Sequence, residues 1–561
     1  MLRDTRMIAI LGMAMITVGL AAQENVTLNG SIQSDILLPQ EDNAIGTKYD
    51  SNSDFLTNTY ADLHLRSKWV DAGVRLEYMD YPLPGFESDF QGWGVPHLYV
   101  KGKFGRGWEV TLGDFYDQFG SGFIFRAYEE RSLGIDNSLR GIRLNMSAID
   151  GLNLKLLGGV QRRYWHWDDD AIIAGADAEL NIDHFSAQMQ DKGINWMVGA
   201  SFVGKKEKDE NKLLNPVLRL NLPETVTAFD VRTRYQQGNY SLMAEYAMKS
   251  QDPSALNNYI YKKGSALMLS ASYSKRGMSA LVQAKRSEDM SFRSLRSSGK
   301  VNYLNAAYLN HMPAFAYQHT YALAALYPYA TQMANGEWAM QGEFGYTFKR
   351  KTLLGGKYGT NVKLNMSYIR AIDREPVTDG TLMGTDGYTS SFFKFGEETY
   401  YQDINLQLEK KISSAFKLNL MYMNQRYNQG VIEGHGGMIN SDIFVGEGKY
   451  QFNKKLTLRG ELQYLTTSHE SGDWMYGLLE LSVLPYLMFT VSDMYGKPAI
   501  NGGLEYGDKE HYYMASVTFN YNAHRIMAGY GRTRAGYNCS GGVCRYVPAS
   551  KGVNISYNYS F

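Results

Sequence analysis

Residues 551–561 read KGVNISYNYSF. Val553, Ile555, Tyr557, Tyr559 and Phe561 take every second position, and Asn554, Ser556, Asn558 and Ser560 fill the gaps. A repeat of two puts five apolar side chains on one face of a β-strand and the polar ones on the other. The terminal residues of ordinary domains fray, whereas this stretch commits its final aromatic to a sheet face. We read these five residues as a C-terminal assembly signal, recognised by barrel-assembly machinery during insertion into a membrane.

The other end of the chain agrees with export. Residues 1–25 read MLRDTRMIAILGMAMITVGLAAQEN, with Arg3 and Arg6 ahead of an apolar run from Met7 to about Leu20 and small residues after it. That is the layout of a secretory signal peptide, here residues 1–22, and the run is short for a spanning helix, which needs about 20 apolar residues. The expected mature chain is residues 23–561. No Cys follows the expected cleavage point, so a lipoprotein anchor is not indicated.

Composition narrows the class further. The 57 basic and 57 acidic side chains leave no net charge, so nothing points to nucleic acid as a partner. Aromatic residues make up 13% of the chain, and 56 Gly stand beside only 13 Pro. No second apolar run of helix length occurs. An exported chain of this kind is either a large soluble β-protein or a membrane barrel, since only helices and closed sheets satisfy every backbone group in lipid.

The internal strands decide between them. In TYADLHLRSKW (59–69), Ala61, Leu63, Leu65 and Trp69 alternate with Tyr60, Asp62, His64, Arg66 and Lys68. The same alternation runs through GINWMVGASF (193–202), GNYSLMAEYAMK (238–249), SAFKLNLMYMN (414–424), KKLTLRGELQYL (454–465) and YYMASVTFNYN (512–522). Many runs are ten to fourteen residues long; strands of soluble sandwiches average about five or six. They come in pairs joined by short turns, as in residues 270–286 and 448–464, with long polar stretches between pairs. Short turns on one side, long loops on the other and aromatics closing the apolar faces are the marks of an outer-membrane barrel. The expected fold is all-β: a single transmembrane antiparallel β-barrel of about 22–24 strands in the outer membrane of a Gram-negative bacterium.

A barrel this wide encloses space. Two stretches that do not alternate cleanly, residues 113–140 and 300–334, are candidates for filling it. Within the first, Arg126, Glu129, Glu130, Arg131, Asp136 and Arg140 cluster beside Gly120 and Gly122. Turned into the lumen, these charges either pair and brace a plug or line a constriction that selects solutes by its field. Cys539 and Cys544 are expected to form a disulfide, since exported chains meet oxidising conditions and Gly541 and Gly542 give a small ring its freedom. Two thiols alone do not make a metal site. The acidic run 168–170 reads as a solvated loop without calcium-site spacing.

Three stretches also carry a resemblance: GDFYDQFGSGFIFRAYEERSLGIDNSLRG (113–141), LYPYATQMANGEWAMQGEF (326–344) and CSGGVCRYVPASKG (539–552). With them the chain resembles a family of outer-membrane barrels from Bacteroidota-type bacteria, catalogued as a domain of unknown function. The resemblance spans nearly the whole mature chain. It implies a fold and a location and brings no activity.

No nucleophile elbow, zinc-protease helix, Walker loop or dinucleotide fingerprint occurs, so no enzyme and no cofactor is expected. His64 and His97 read as lumen or girdle residues of strands. The expected role is a passive, porin-like channel for a hydrophilic solute; the alternative is a plugged barrel that serves as a scaffold or as a subunit of an envelope complex with surface lipoproteins. Outer-membrane lipid is the expected partner of either.

Overall fold

The computed structural model describes residues 26–561 except 50–53, 88–90, 106, 164, 209, 297–306, 380–382, 468–471, 502–503 and 507–508. The expected signal peptide and residues 300–306 of the second filling candidate lie outside the described residues.

Twenty-four strands of 8 to 17 residues form one sheet, and every pairing in it is antiparallel. The first strand, Thr27–Pro39, pairs on one edge with the second, Leu56–Arg66, and on the other with the last, Ser550–Ser560. That last pairing closes the barrel, so the sheet has no free edge. Ile32, Ile36 and Leu38 stand opposite Tyr559, Ile555 and Val553 across the seam, which joins the apolar faces of both strands.

The outward face is apolar all round. Leu112, Ile142, Ile172 and Val231 are more than half exposed, as are Val282 at 66% and Leu462 at 74%. In water such a surface would aggregate; in a bilayer it is the solvent-facing side. Aromatic pairs close the belt at both ends, Tyr240–Tyr273 and Phe416–Tyr450 at one and Phe202–Phe229 and Trp338–Phe395 at the other. The molecule is therefore a transmembrane antiparallel barrel.

Its two rims differ. Tight turns such as 67–69, 238–239, 276–277 and 522–523 lie on the rim that holds both ends of the strand ladder, although 182–193 and 349–359 are longer. Connections on the other rim are mostly long, among them 208–224, 250–263 and 373–394. The acidic run 168–170 lies within the strand His166–Asn181 and not in a connection, but Asp169 and Asp170 fall in a register shift of its pairing. Pairing with Leu152–Arg163 carries on past it, with Asp168 opposite Gln161 and His166 opposite Arg163.

Closure depends on a small residue at the seam. A Cβ on Gly30 would sit 2.7 Å from the Asp62 carbonyl oxygen and 2.7 Å from the Phe561 ring. The backbone oxygen cannot yield, so Gly30→Val is expected to cost about 1–3 kcal/mol. Heat-dependent gel mobility should show a smaller folded fraction than wild type, and an unchanged fraction would mean that the seam tolerates the bulk.

Candidate functional site, a braced plug inside the barrel

Two connections of the long-loop rim turn inward. Residues 116–138, between the strands Trp108–Phe115 and Leu139–Ile149, form a short two-stranded pairing (Asp117–Gln118 with Arg126–Ala127), then a second (Glu129–Glu130 with Ile135–Asp136). Between the latter two, Glu130 caps a single helical turn, Arg131–Leu133, and Gly134 ends it with a positive φ of 64°. The described residues of the connection between the strands Met278–Glu288 and Glu337–Phe348, 289–296 and 307–336, form the other infold.

The two infolds pack on each other. The Arg126 N–H donates to the Leu309 carbonyl at 2.8 Å, and the His311 N–H donates to the Gly122 carbonyl at 2.8 Å. The Asn310 amide donates to the carbonyls of Phe123 and Met290, and the Asn137 amide to that of Tyr308. Phe119, Phe123, Ile124 and Phe125 are wholly buried, and they join Leu309, Met312, Phe315 and Leu323 in one apolar core with inward residues of the wall. The centre of the lumen is thus packed like a protein interior, with side chains interdigitated.

Ion pairs fasten the first infold to the wall. Arg75, on the strand Val70–Met79, donates to Asp62 at 2.6 Å and to both oxygens of Glu129 at 2.6 and 3.0 Å, and it reaches Asp136 at 3.3 Å. Arg162 bridges Glu77, at 2.8 Å, and Asp136. Arg131 returns to Glu129 at 2.7 Å and to Asp62 at 2.9 Å. The Tyr116 hydroxyl donates to Asp136 at 2.9 Å, and its ring stacks on His97 at 5.0 Å. Three guanidiniums therefore meet four carboxylates in a network drawn from both wall and plug. Burial pushes the Asp136 carboxyl up, but Arg162 and Arg75 outweigh it and hold it below its ordinary value.

The six charges singled out from the sequence do not act as one set. Glu129, Arg131 and Asp136 join this network. Glu130 instead accepts from the Ser132 hydroxyl at 2.6 Å and the Ser540 hydroxyl at 3.1 Å. Arg126 lies 4.1 Å over the Tyr128 ring. Arg140 pairs with Asp114 through two bonds of 2.8 and 2.7 Å and covers the Trp167 ring. The sequence did not single out Asp62, Arg75, Glu77 and Arg162. Their only local sign was a charge on the polar parity of an alternating strand.

Further round the wall, Glu245 accepts from the Ser121 N–H at 3.0 Å and from its hydroxyl at 2.8 Å. Lys285, fully buried, donates to the Pro313 carbonyl at 2.6 Å and pairs with Glu337 at 2.8 Å, which anchors the second infold. His319 meets Asp403 at 2.6 Å. Below the plug, towards the short-turn rim, a cavity of about 660 Å³ is bounded by Asn195, Arg232, Arg234 and Gln236 on the wall and by Ser121 and Phe315 on the plug.

A disulfide joins Cys539 and Cys544 across the hairpin Gly536–Ser540 and Val543–Val547. This hairpin rests on both infolds. The Thr331 N–H donates to the Gly542 carbonyl at 3.0 Å, and Arg545 donates to the Ser132 carbonyl at 3.0 Å while covering the Phe86 ring at 4.0 Å. Opening so small a ring releases about 2 kcal/mol of chain entropy to the unfolded hairpin. The Cys539→Ser/Cys544→Ser variant is expected to keep the barrel and gain protease cleavage in 534–549; cleavage equal to wild type would show that docking alone holds the hairpin.

The family described as "Family of unknown function (DUF6029)" matches residues 4–561. No curated protein matches the chain in sequence. Among solved structures, the siderophore receptor PirA from Pseudomonas aeruginosa is 10% identical, with 96% of this chain and 81% of that chain covered and a TM-score of 0.41. The P pilus usher (PapC) translocation pore is 9% identical, with 96% and 99% covered and a TM-score of 0.42. OccAB3 from Acinetobacter baumannii is 10% identical, with 96% and 100% covered and a TM-score of 0.35.

Proposed function

Because the chain belongs to this family of unknown function (DUF6029), which brings no activity with it, we propose a role from the lumen: a plugged outer-membrane barrel, acting as a scaffold. The observation that carries it is the network of Arg75, Arg131 and Arg162 with Asp62, Glu77, Glu129 and Asp136, which ties the infold to the wall. A constriction that selects solutes leaves its charges facing water. Here Arg75, Arg162, Asp62 and Glu77 are all buried and spent on one another. We place the short-turn rim in the periplasm and the infolds and disulfide hairpin on the cell-surface side, where surface lipoproteins are the proposed partners. Neither catalysis nor a cofactor has a part in this reading.

A second reading, passive passage of a hydrophilic solute, draws on the cavity of about 660 Å³ beneath the plug, which Arg232, Arg234, Asn195 and Gln236 line on the wall side. In that case the infolds must withdraw before anything crosses. Fractionation tests the location: the mature protein should stay with the outer membrane through a carbonate wash and shift in gel mobility on heating. Recovery in the soluble periplasm would overturn both readings. Single-channel recording separates them.

A further inference from the structure

The chain carries no net charge, yet its short-turn rim is strongly basic over one sector. The turn 349–359 exposes Lys349, Arg350, Lys351 and Lys357. The next two hairpins on the same rim, around 412–415 and 452–455, add Lys411, Lys454 and Lys455, all exposed. Next to the turn 412–415, Lys417 on one strand pairs with Glu409 on its neighbour at 3.0 Å. At the other end of these strands the two long connections differ: 373–394 has four carboxylates and two cations, whereas 289–336 has one carboxylate and three cations. Such a concentration of exposed cations in three neighbouring turns, in a chain neutral overall, calls for a partner there.

Apolar side chains stand among these cations. Leu353 is 98% exposed, Leu354 58%, and Ile412 and Phe452 are about half exposed. Lys357 and Lys411 both lie over the Tyr358 ring, at 5.4 and 5.5 Å, which keeps two ammonium groups at the level of an aromatic. Cations on long stems beside leucines and aromatics suit a surface that is apolar at one depth and anionic at the next. Such a surface is the edge of a lipid leaflet.

We propose that the basic sector formed by the turns 349–359, 412–415 and 452–455 binds the anionic headgroups of phospholipids in the periplasmic leaflet. This rests on the reading that the barrel spans the outer membrane with its short turns in the periplasm. The lysine and arginine side chains reach phosphate while Leu353, Leu354, Ile412 and Phe452 enter the acyl region. Because the attraction is Coulombic and lies at the surface, it weakens as ionic strength rises.

Native mass spectrometry of the full-length barrel in detergent tests the proposal, with dioleoylphosphatidylglycerol and dioleoylphosphatidylcholine offered in equal amounts. Wild type is expected to retain phosphatidylglycerol over phosphatidylcholine by at least about fivefold. The variant with Lys349, Arg350, Lys351, Lys357, Lys454 and Lys455 all changed to Gln should bring the ratio close to one. A control with Lys394→Gln and Lys497→Gln, on the opposite rim, should leave it unchanged. Equal retention by wild type overturns the proposal, and so does a preference that survives the sixfold change. Binding of a polyglutamate peptide without any lipid preference also overturns it, by placing an acidic protein there. A heat-dependent mobility shift in every variant shows that the barrel is folded; its absence in wild type sinks the underlying reading instead.

Discussion

In planar bilayers the intact protein is expected to stay silent, and replacing residues 117–137 with a short Gly-Ser connection should give stable single-channel steps. The replaced segment supplies Phe119, Phe123, Ile124 and Phe125 to the apolar core and the partners of Leu309, Asn310 and His311 in the second infold. Removing it takes away the centre of the plug and loosens the rest. The wall should survive, since Arg75 keeps Asp62 at 2.6 Å and Arg162 keeps Glu77 at 2.8 Å without any help from the plug. Strand pairings that flank the excised connection, Leu139 with Phe115 and Arg140 with Asp114, lie outside it. Equal steps from the intact protein would overturn the plugged reading and favour an open channel.

Arg162→Ala should have the second largest effect. It removes one of the two guanidiniums that reach both Glu77 and Asp136, and leaves Arg75, at 3.8 and 3.3 Å from them, and Arg131 to face four carboxylates. Breaking a buried pair from one side costs about 3–5 kcal/mol, because an uncompensated charge stays behind. The loss falls on the docking of 126–138 and not on the backbone ladder, so the expected phenotype is a folded barrel with intermittent conductance and protease cleavage within 126–138. The triple variant Arg162→Met, Glu77→Gln, Asp136→Asn removes all three charges together and should recover much of the silence. Wild-type silence in Arg162→Ala would show that the plug holds without the Arg162 bridge, through its apolar core and the ion pairs of Arg75 and Arg131.

The same pair sets a pH range. Asp136 has a folded value held below its ordinary 3.8. A depressed carboxyl contributes stability that is present above the unfolded value and is lost as pH falls through the folded one. Docking should therefore persist from neutral pH through mild acid and weaken only below 3.8. Opening of the intact barrel already at mildly acidic pH, read as single-channel steps, would point to a different group.

Sequence alone determined the wall. Alternation has a period of two, so which side chains face lipid is settled within each ten-residue run, as with Val553, Ile555, Tyr557, Tyr559 and Phe561. Strand count, aromatic belts and turn asymmetry come from repeating that local pattern. The pairing of Cys539 with Cys544 was also legible, since only four residues separate them. The interior was not. A lumen-facing Arg75 or Glu77 looks the same in sequence whether it meets water or a plug, and Asp62, His64 and Arg66 show the same alternation beside them. Only the closed barrel brings Arg75 to Glu129, 54 residues away, and Arg162 to Glu77, 85 residues away. The tertiary structure also split the cluster in 126–140, sending Glu130 to the hairpin and Arg140 to Asp114. Facing is a local property of the strand, whereas the choice of partner for a buried charge depends on which distant carboxylate the closed sheet places within reach.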